Sequence, residues 1–484
     1  MLLKELLTGL EYVLIAGTDE ADVSGICDDS RFAAKNNVFV CIDGTVTDGH
    51  KYVSDAVEKG CSSLIIQNDL NHDIPKNINI VKVKNTRTAL ANAACRFYKE
   101  PYTKFKLAGI TGTKGKTTIT YMLRYIFEAA NLKYGMIGTI SNIINGELRK
   151  TGRTTPESLQ LQKTFAEMAE GKTEYVAMEV SSQGLMLDRV YGTTFDVGVF
   201  NNISRAHIGP KEHESFENYL ENKIKLFGIC KTGLINIDDA HAAEVIKKSK
   251  CKVYTYGIDN KADIFAFNIR KFFDKVEFEI KSPWFEGPLT VNMPGKYNVY
   301  NALAAAAIAG LWGFDIEYVA AGLKEVTVPG RTEKLDLPLE CTIMIDYAHS
   351  PDSLLKLLSE LKELVPGRLV CLFGCGGDRD RTMRPMMGEA SGKYADFSIL
   401  TSDNPRTEKP ENIIDDIEEG ILKTQGKYIK ITDRTKAIEY AVKNALPNDL
   451  IVLAGKGHED YIEINGKKYH YNEREVVREI LNIQ

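Results

Sequence analysis

A short glycine-rich stretch, GITGTKGKTT at positions 109–118, constrains this chain more than any other segment. It follows an apolar run at 105–110 with the pattern of a buried strand, and it leads into a helical pattern at 119–130. Such a turn lets backbone N–H groups surround phosphate oxygens, while a lysine reaches the terminal phosphates and a hydroxyl contacts Mg²⁺. The stretch therefore predicts a site for ATP and Mg²⁺. The residues expected to contact the nucleotide are Gly112, Thr113, Lys114, Gly115, Lys116, Thr117 and Thr118.

The spacing of this stretch differs from the usual phosphate-binding loop, which has four residues between its first glycine and the Gly-Lys pair. Two residues separate Gly112 from Gly115, and five separate Gly109 from Gly115. Neither choice fits the usual pattern, so the class of enzyme has to be decided from the rest of the chain.

Composition places the chain among globular proteins. Its 484 residues correspond to about three domains, and 44% of them are hydrophobic and 26% charged. A net charge of -5 gives no electrostatic reason to expect a nucleic-acid partner. The nine cysteines show no paired metal spacing and are expected to be reduced thiols. Since no run approaches the ~18 apolar residues of a membrane span, we expect a cytoplasmic protein with no membrane partner.

Strand and helix patterns divide the chain into three parts, at 1–102, 103–331 and 332–484. The patterns predict, among other elements, strands at 63–66, 342–346 and 397–400 and a helix at 49–59. The first is expected to be a small α/β domain, and the second a P-loop ATPase-like domain with a mainly parallel sheet. The third alternates strands with helices, which predicts a Rossmann-like doubly wound sheet with ligands at the carboxyl ends of its strands. A Pro-Gly pair at 329–330 is expected to form a hinge whose closure assembles the site.

Two polar residues stand where predicted strands end. Glu179 ends the run at 175–180, where a carboxylate can hold Mg²⁺, although a strand-end glutamate can also cap the next turn. His207 lies just after the run at 197–200, and a single histidine in such a place is more often structural than a metal ligand.

Ten motifs follow one another in a fixed order: TGTKGKTT, TTPES, MEVSSQGLMLDRV, YLENKIKLF, PGKYNVYNALAA, VPGRTE, IDYAHSPDSL, GCGGDRDRTMRP, SDNPRTEKP and AGKGHED. In this order, over nearly the whole chain, the sequence resembles the Mur ligases of peptidoglycan synthesis. Within that family it is most similar to the ligases that extend UDP-N-acetylmuramoyl-L-alanyl-D-glutamate by a third amino acid.

The resemblance implies an ATP-dependent C–N ligase that works through an acyl phosphate on the substrate's γ-carboxylate. It implies that Lys116, His207 and Lys223 are catalytic, that Lys223 is carbamylated, and that the metal ligands are Thr117, Glu179, His207 and Lys223. From spacing alone, Lys223 is an ordinary lysine on a helix surface and Lys225 is an equal candidate; only the family's Tyr-x-x-x-Lys pattern favours Lys223.

Further residues are assigned only by the resemblance. It implies that ATP also meets Asn298, Asn301, Arg331, Asp346 and His349, although helix packing for the asparagines and salt bridging for Arg331 are the simpler alternatives. It also implies that the part at 1–102 binds a UDP-linked substrate and that the part at 332–484 binds the amino acid. For the UDP-linked substrate it implies contacts from Asp28, Ser30, Thr45, Val46, Thr47, Thr154, Thr155, Ser181 and Arg189. The protein is expected to be a monomer.

The added amino acid is predicted from the DNPR motif. An arginine binds a carboxylate through two hydrogen bonds, and diaminopimelate has a distal carboxylate and ammonium where lysine has only an ammonium. We therefore expect diaminopimelate, although lanthionine has nearly the same two ends, and a loop salt bridge from Arg406, for example to Glu408, is the structural alternative. The resemblance implies that the pocket consists of Arg379, Asp403, Asn404, Pro405, Arg406, Gly455 and Glu459.

The chain departs from the family pattern near the metal site and the substrate. Gln183 stands where a histidine is usual, Ala206 where an aspartate is usual, and Arg153 where an asparagine is frequent. Leu187 replaces a residue that is often polar. Three alternatives therefore stay open: a related ligase that adds lanthionine or lysine, a folate-tailing ligase, and a catalytically silent ligase-like binding module.

Overall fold

The computed structural model describes residues 1–44, 47–70, 74–205, 208–209 and 212–483. The chain forms two compact units. The first comprises Met1–Phe265, Lys281–Phe285 and Leu303–Gly322, and the second comprises Ala266–Ile280, Glu286–Ala302 and Leu323–Gln484. No helix in the described ranges is long and apolar enough to cross a membrane.

The first unit begins with a five-stranded sheet in the order β1-β5-β4-β3-β2. Strand β1 is antiparallel to β5, and the other pairs are parallel. Alternating residues of β3 point to opposite faces, so Val38 and Val40 join one apolar core and Phe39 joins another. The elements are α1 (Leu3–Leu6), β1 (Tyr12–Ala16), β2 (Gly25–Cys27), β3 (Asn37–Val40), α2 (Val53–Glu58), β4 (Ser63–Ile66), β5 (Asn79–Val83) and α3 (Thr86–Phe97).

The same unit continues into a larger sheet, whose strands run in the order β13-β12-β11-β6-β10-β7-β8-β9. Strands β7, β10, β6, β11, β12 and β13 are parallel, and β8 and β9 add an antiparallel ribbon. The elements are β6 (Lys106–Thr111), α4 (Lys116–Ala129), β7 (Tyr134–Ile137), β8 (Ser141–Ile144), β9 (Glu147–Lys150), α5 (Ser158–Glu170), β10 (Tyr175–Glu179), α6 (Ser182–Met186), β11 (Phe195–Phe200), α7 (Phe216–Ile224), β12 (Cys230–Asn236), α8 (Ala242–Lys248) and β13 (Lys252–Gly257).

The second unit contains a six-stranded sheet in the order β17-β18-β22-β19-β20-β21. Neighbouring strands of this sheet are parallel, except that β17 is antiparallel to β18. Apolar cores cover both faces of the sheet, as a doubly wound sheet requires. The remaining elements of the chain, among which residues 303–322 of α9 and α10 belong to the first unit, are β14 (Ile264–Lys271), β15 (Val276–Lys281), β16 (Glu286–Val291), α9 (Lys296–Leu311), α10 (Ile316–Glu325), β17 (Glu333–Lys334), β18 (Thr342–Asp346), α11 (Pro351–Lys362), β19 (Leu369–Phe373), α12 (Met383–Tyr394), β20 (Phe397–Leu400), α13 (Pro410–Ile421), β21 (Tyr428–Lys430), α14 (Arg434–Lys443), β22 (Leu450–Ala454), β23 (Tyr461–Ile464), β24 (Lys467–His470) and α15 (Glu473–Ile480).

The predicted strands at 63–66, 342–346 and 397–400 have the observed bounds. The helix predicted to begin at 119 begins instead at Lys116, because Gly115 is its N-cap in a left-handed conformation with φ of +88°. The predicted helix at 49–59 begins as a 3₁₀ turn over Gly49–Tyr52 and becomes α-helical only in α2.

Candidate active site

The glycine-rich loop lies between β6 and α4, and two asparagines after β11 hold it in place. The N–H of Thr113 donates to the backbone oxygen of Asn202 at 2.9 Å, and the N–H of Lys114 donates to Asn202 Oδ1 at 2.9 Å. The side chain of Asn201 donates to the backbone oxygen of Lys114 at 3.2 Å. The loop is therefore preorganised where the dipole of α4 favours an anion.

Lys116, the first residue of α4, points back over the loop. Its Nζ donates to the backbone oxygens of Gly112 and Thr113 at 2.8 and 3.3 Å. A lysine in this position places a positive charge beside any phosphate that the loop binds. Thr118, which follows Thr117 in the first turn of α4, is buried.

Thr117 and Glu179 meet at the carboxyl ends of β6 and β10. Thr117 Oγ1 donates to Glu179 Oε1 at 3.0 Å, and Glu179 is 1% exposed. Thr139, which follows β7 and was missed in the sequence analysis, donates to the same carboxylate through its N–H at 2.8 Å and its hydroxyl at 3.0 Å. Glu179 therefore caps the turn after β7, which is one of its two expected roles. The same carboxylate lies beside Thr117, where the metal site is expected.

These groups are hard oxygen donors of the kind that Mg²⁺ prefers, and Mg²⁺ keeps several water or phosphate ligands beside one or two protein oxygens. In the ranges that the structure describes, no three His, Cys, Asp or Glu side chains converge as a self-sufficient metal site. The residues present therefore fit a cation held jointly with nucleotide phosphates. His207 and Ala206 lie outside the described residues.

Lys223 is buried rather than on a helix surface, which corrects the interpretation from spacing alone. It lies in α7 with 1% exposure, and its Nζ is 4.5 Å from the centre of the Tyr219 ring. Burial lowers the pKa of Lys223 well below its usual value, and the Lys116 ammonium lowers it further. Burial therefore favours the uncharged amine of Lys223, which is the form that reacts with CO₂.

Tyr219 and His213 connect α7 to the loop and to α6, and the sequence analysis missed both. Burial raises the pKa of Tyr219 to about 12, and its hydroxyl lies 3.0 Å from Thr113 Oγ1. His213 is 1% exposed, with Nε2 at 2.9 Å from Ser182 Oγ and Nδ1 at 3.0 Å from Asn218 Oδ1.

The residues expected to bind the UDP end lie around the first sheet. Asp28 follows β2, and burial raises the pKa of its carboxyl, with a further increase from the Glu157 carboxylate. Ser30 is buried, and its backbone oxygen accepts from Lys59 Nζ at 2.9 Å. Thr47 Oγ1 lies 3.3 Å from the Tyr52 hydroxyl. Thr45 and Val46 lie outside the described residues.

The residues expected near the sugar and peptide form one hydrogen-bonded group beside Glu179. Thr155 Oγ1 lies 3.1 Å from Ser181 Oγ, and Arg189 donates to the backbone oxygen of Thr155 at 3.0 Å. Thr154 Oγ1 lies 2.9 Å from the Thr139 hydroxyl. The structure thus brings these four predicted residues together, next to the carboxylate at the phosphate site.

Arg189 itself is 4% exposed, and burial lowers its pKa. Its guanidinium lies 2.8 Å from Glu157 Oε1, which is also 3.5 Å from Arg153. Two cations therefore converge on a single carboxylate. Gln183 is exposed in α6, and Leu187 caps that helix.

In the second unit, Asp346, Arg331 and His349 lie around Tyr347. The Arg331 guanidinium is 4.5 Å from the centre of the Tyr347 ring, and the His349 ring is 4.4 Å from it. Asp346 Oδ2 accepts from the N–H of Thr332 at 2.7 Å. This group offers cationic, aromatic and carboxylate surfaces of the kind that a nucleotide requires.

Asn298 and Asn301 are 0% and 2% exposed in α9. Asn298 donates to the backbone oxygen of Pro294 at 2.7 Å, and Asn301 donates to Asn298 Oδ1 at 3.0 Å. These bonds agree with helix packing, the simpler interpretation of the two residues.

The expected amino-acid pocket lies at the carboxyl ends of β19, β20 and β22. Asn404 Nδ2 donates to Glu459 Oε2 at 2.9 Å. A Cβ at Gly455, whose φ is +111°, would lie 2.6 Å from Asp403 Oδ2, so a larger residue would displace that carboxylate. Burial raises the pKa of Glu459, and Asp403 raises it further. The sheet thus brings these residues, which are distant in sequence, into one acidic group.

Arg406 lies in the loop after β20 and contacts the loop after β19. It has φ of +50°, its Nη1 donates to the backbone oxygen of Gly377 at 2.5 Å, and its Nε donates to Glu463 Oε2 at 3.2 Å. A Cβ on Gly376 would lie 3.0 Å from Arg406 Nη1 and 3.6 Å from Arg379 Cγ, so the two arginines flank that glycine. Pro405 is buried just before Arg406.

Arg406 therefore forms its salt bridge with Glu463, a residue 57 positions away in sequence. The structural alternative, which named Glu408 as the partner of Arg406, was wrong. Glu408 instead accepts hydrogen bonds from both terminal nitrogens of Arg384, at 2.7 and 2.9 Å. This bidentate pair lowers the pKa of Glu408 to about 2.

Three family models match the chain. The Mur ligase middle domain covers 110–309, the Mur ligase glutamate ligase domain covers 330–457, and the Mur ligase catalytic domain covers 22–98. The chain belongs to the Mur ligase family, as the ordered motifs indicated.

Two relatives carry the name UDP-N-acetylmuramoyl-L-alanyl-D-glutamate–2,6-diaminopimelate ligase. The one from Caldanaerobacter subterraneus is 45% identical over 482 residues, 99% of each chain, and the one numbered 1 from Clostridium acetobutylicum is 43% identical over 484 residues, 99% of each chain. A solved structure of a protein with that name is 29% identical, covers 100% of this chain and 99% of its own, and superposes with a TM-score of 0.74. The predicted α/β class with three domains is confirmed, while the boundaries at 102 and 331 remain predictions.

Proposed function

We propose that this chain is an ATP-dependent ligase that joins meso-diaminopimelate to the D-glutamate γ-carboxylate of UDP-N-acetylmuramoyl-L-alanyl-D-glutamate. The observation that carries the proposal is the 45% identity, over 99% of both chains, to a ligase of that name. The Thr117–Glu179 contact under a preorganised phosphate loop supports it independently.

The first step transfers the γ-phosphoryl group of ATP to the carboxylate, which gives an acyl phosphate and ADP. Both reactants are anionic, so positive charge is needed where they meet. Lys116 and the N-terminus of α4 supply it from the protein, and Thr117 and Glu179 would hold Mg²⁺. When bound, Mg²⁺ neutralises phosphate charge and helps to align the reacting oxygens.

Lys223 acts as a carbamate in this proposal. Its uncharged amine attacks CO₂, a C–N bond forms, and a proton leaves to solvent. The product carries a negative charge that can be compensated by Lys116, whose ammonium already affects the pKa of Lys223. We expect the carbamate to support the phosphate site together with His207.

The second step is attack of an amine of diaminopimelate on the acyl phosphate. The tetrahedral intermediate collapses, an amide forms and phosphate leaves. Arg406 binds the distal carboxylate of the amino acid through its guanidinium, and Glu459 binds the distal ammonium. Arg379, Asp403, Asn404, Pro405 and Gly455 complete this pocket in the proposal.

The substrate and nucleotide are held by the remaining predicted residues. Thr154, Thr155, Ser181 and Arg189 are proposed to hold the sugar and peptide, since they form one group beside Glu179. Asp28, Ser30 and the loop at 45–47 are proposed to hold the UDP end, and Arg331, Asp346, His349, Asn298 and Asn301 are proposed to serve ATP.

The test is phosphate release from ATP in the presence of the UDP-dipeptide, with diaminopimelate, lanthionine and lysine compared in parallel. Turnover with either diacid and none with lysine supports the ligase and the role of Arg406. Turnover with lysine alone overturns the pocket assignment. If none of the three amino acids supports turnover, the proposal of an enzyme is overturned in favour of a catalytically silent binding module.

A further inference from the structure

Lys456 is a fully buried lysine in the loop after β22, next to the proposed amino-acid pocket. Its exposure is 0%, and its Nζ donates to Asn404 Oδ1 at 3.2 Å. The same Nζ lies 3.7 Å from Asp403 Oδ1 and 3.6 Å from Glu459 Oε2. A buried ammonium persists only where opposite charges and acceptors compensate it, so this side chain is committed to these three partners.

Asn404 links the lysine to the carboxylate in a defined orientation. Its Oδ1 accepts from Lys456 Nζ and also from the N–H of Glu463 at 2.9 Å, which directs its Nδ2 to Glu459 Oε2 at 2.9 Å. The position of Glu459 is therefore fixed by a chain of contacts that begins at Lys456.

Lys456 also contributes positive charge next to Glu459. Asp403 and the Tyr347 hydroxyl face Glu459 from other elements, and Lys456 is the cation that faces it from its own loop. Burial and Asp403 both raise the pKa of Glu459, and Lys456 opposes them. Without the lysine, the carboxyl groups of Asp403 and Glu459 would lie together in a buried space with less positive charge to offset their mutual repulsion.

We propose that Lys456 is a positioning residue that stabilises the negative charge of Glu459 and, through Asn404, aims this carboxylate at the distal ammonium of the incoming amino acid. An ionised carboxylate attracts an ammonium far more strongly than a protonated carboxyl does. The role of Glu459 toward the amino acid rests on the proposed function, whereas the effect of Lys456 on Glu459 does not.

The charge effect is tested first, without turnover. Glutamate labelled with ¹³C at the side-chain carboxyl is titrated by NMR from about pH 5 to about pH 9, because this range spans a raised carboxyl pKa. The Glu459 signal is identified by its loss in Glu459→Gln. In Lys456→Met, which replaces the cation with an apolar chain, we expect the apparent pKa of Glu459 to rise. An unchanged titration overturns the proposal.

The positioning effect is tested by kinetics. In Lys456→Met we expect the KM for diaminopimelate to rise about ten-fold at about pH 6 and to approach the wild-type value at about pH 9, since Glu459 then ionises without help. The KM for ATP is expected to stay unchanged. Lys430→Met is the matched control, because Lys430 also contacts two carboxylates, Asp415 and Glu418 at 2.8 Å each, but on the surface.

A KM raised equally at all pH values in Lys456→Met indicates loss of packing alone and overturns the positioning role. The double variant with Glu459→Gln sharpens this result, because Lys456→Met should then add no pH dependence. If the wild-type chain turns over no amino acid, the proposed function fails, while the NMR titration still decides whether Lys456 controls Glu459.

Discussion

Replacing Arg384 with methionine should loosen both loops that carry the amino-acid pocket. Arg384 is 1% exposed, donates to both oxygens of Glu408, and contacts Asp416 Oδ2 at 2.9 Å and the backbone oxygen of Gly376 at 3.4 Å. One buried guanidinium therefore connects the loop after β19 to the loop after β20. Removing it leaves two partly buried carboxylates without their main cation.

The magnitude follows from the pKa of Glu408, which is lowered from 4.5 to about 2, chiefly by its hydrogen bonds to Arg384 and to a smaller extent by the Asp378 N–H and by Arg381. Such a shift corresponds to about 3 kcal/mol of folding free energy, within the range for removing one partner of a buried pair. Because the folded-state pKa is depressed, this stabilisation is fully present above about pH 4.5 and disappears as the pH falls toward about 2. The difference between wild type and variant should therefore shrink by about 0.8 kcal/mol between about pH 7 and about pH 4.

The assay is urea denaturation followed by circular dichroism at both pH values, with amide hydrogen exchange of α12 as a local measure. Arg381→Met is the matched control, since Arg381 contacts the same Asp416 at 3.0 Å but is 65% exposed. It should cost no more than about 1 kcal/mol. Equal losses in the two variants, or a loss from Arg384→Met that does not depend on pH, would refute the reasoning.

Three changes test the proposed site. Glu179→Gln keeps the shape of the side chain but removes its charge, so we expect kcat to fall about 100-fold or more in phosphate release, and a fall below three-fold would contradict a cation there. Tyr219→Phe removes the hydroxyl beside Thr113, and we expect a loss of about 1 kcal/mol in denaturation and a higher KM for ATP, whereas an unchanged KM would separate Tyr219 from the loop. Arg406→Lys replaces a planar fork with a point charge, so the KM for diaminopimelate should rise about ten-fold while that for ATP stays constant; an equal rise for both would disprove a specific role.

Local pattern was enough to predict much of the fold and the phosphate loop. Strands such as β4, β18 and β20 are short apolar runs between polar turns, and their bounds were predicted correctly. Glu179 was found because polar residues at strand ends of parallel sheets tend to line sites. The same rule applied to β7 would have found Thr139, which follows that strand by two residues.

Other features required the tertiary structure. Lys223 looks like a surface residue in its helix, and only the packing of α7 shows that it is buried. Arg406 lies two residues from Glu408, yet it pairs with Glu463, because β23 is brought beside the loop after β20. Long-range neighbours of this kind are set by sheet order, which spacing along the chain does not reveal.

The most direct measurement of the central claim is the product itself. The chain is incubated with ATP, Mg²⁺, UDP-N-acetylmuramoyl-L-alanyl-D-glutamate and diaminopimelate, and ADP, phosphate and the UDP-linked product are quantified together by mass spectrometry and phosphate assay. We expect equal amounts of ADP, phosphate and a UDP-tripeptide with a new amide, and none when the UDP-dipeptide is omitted. ADP formation that does not need the UDP-dipeptide, or that occurs without a new amide, would contradict the account.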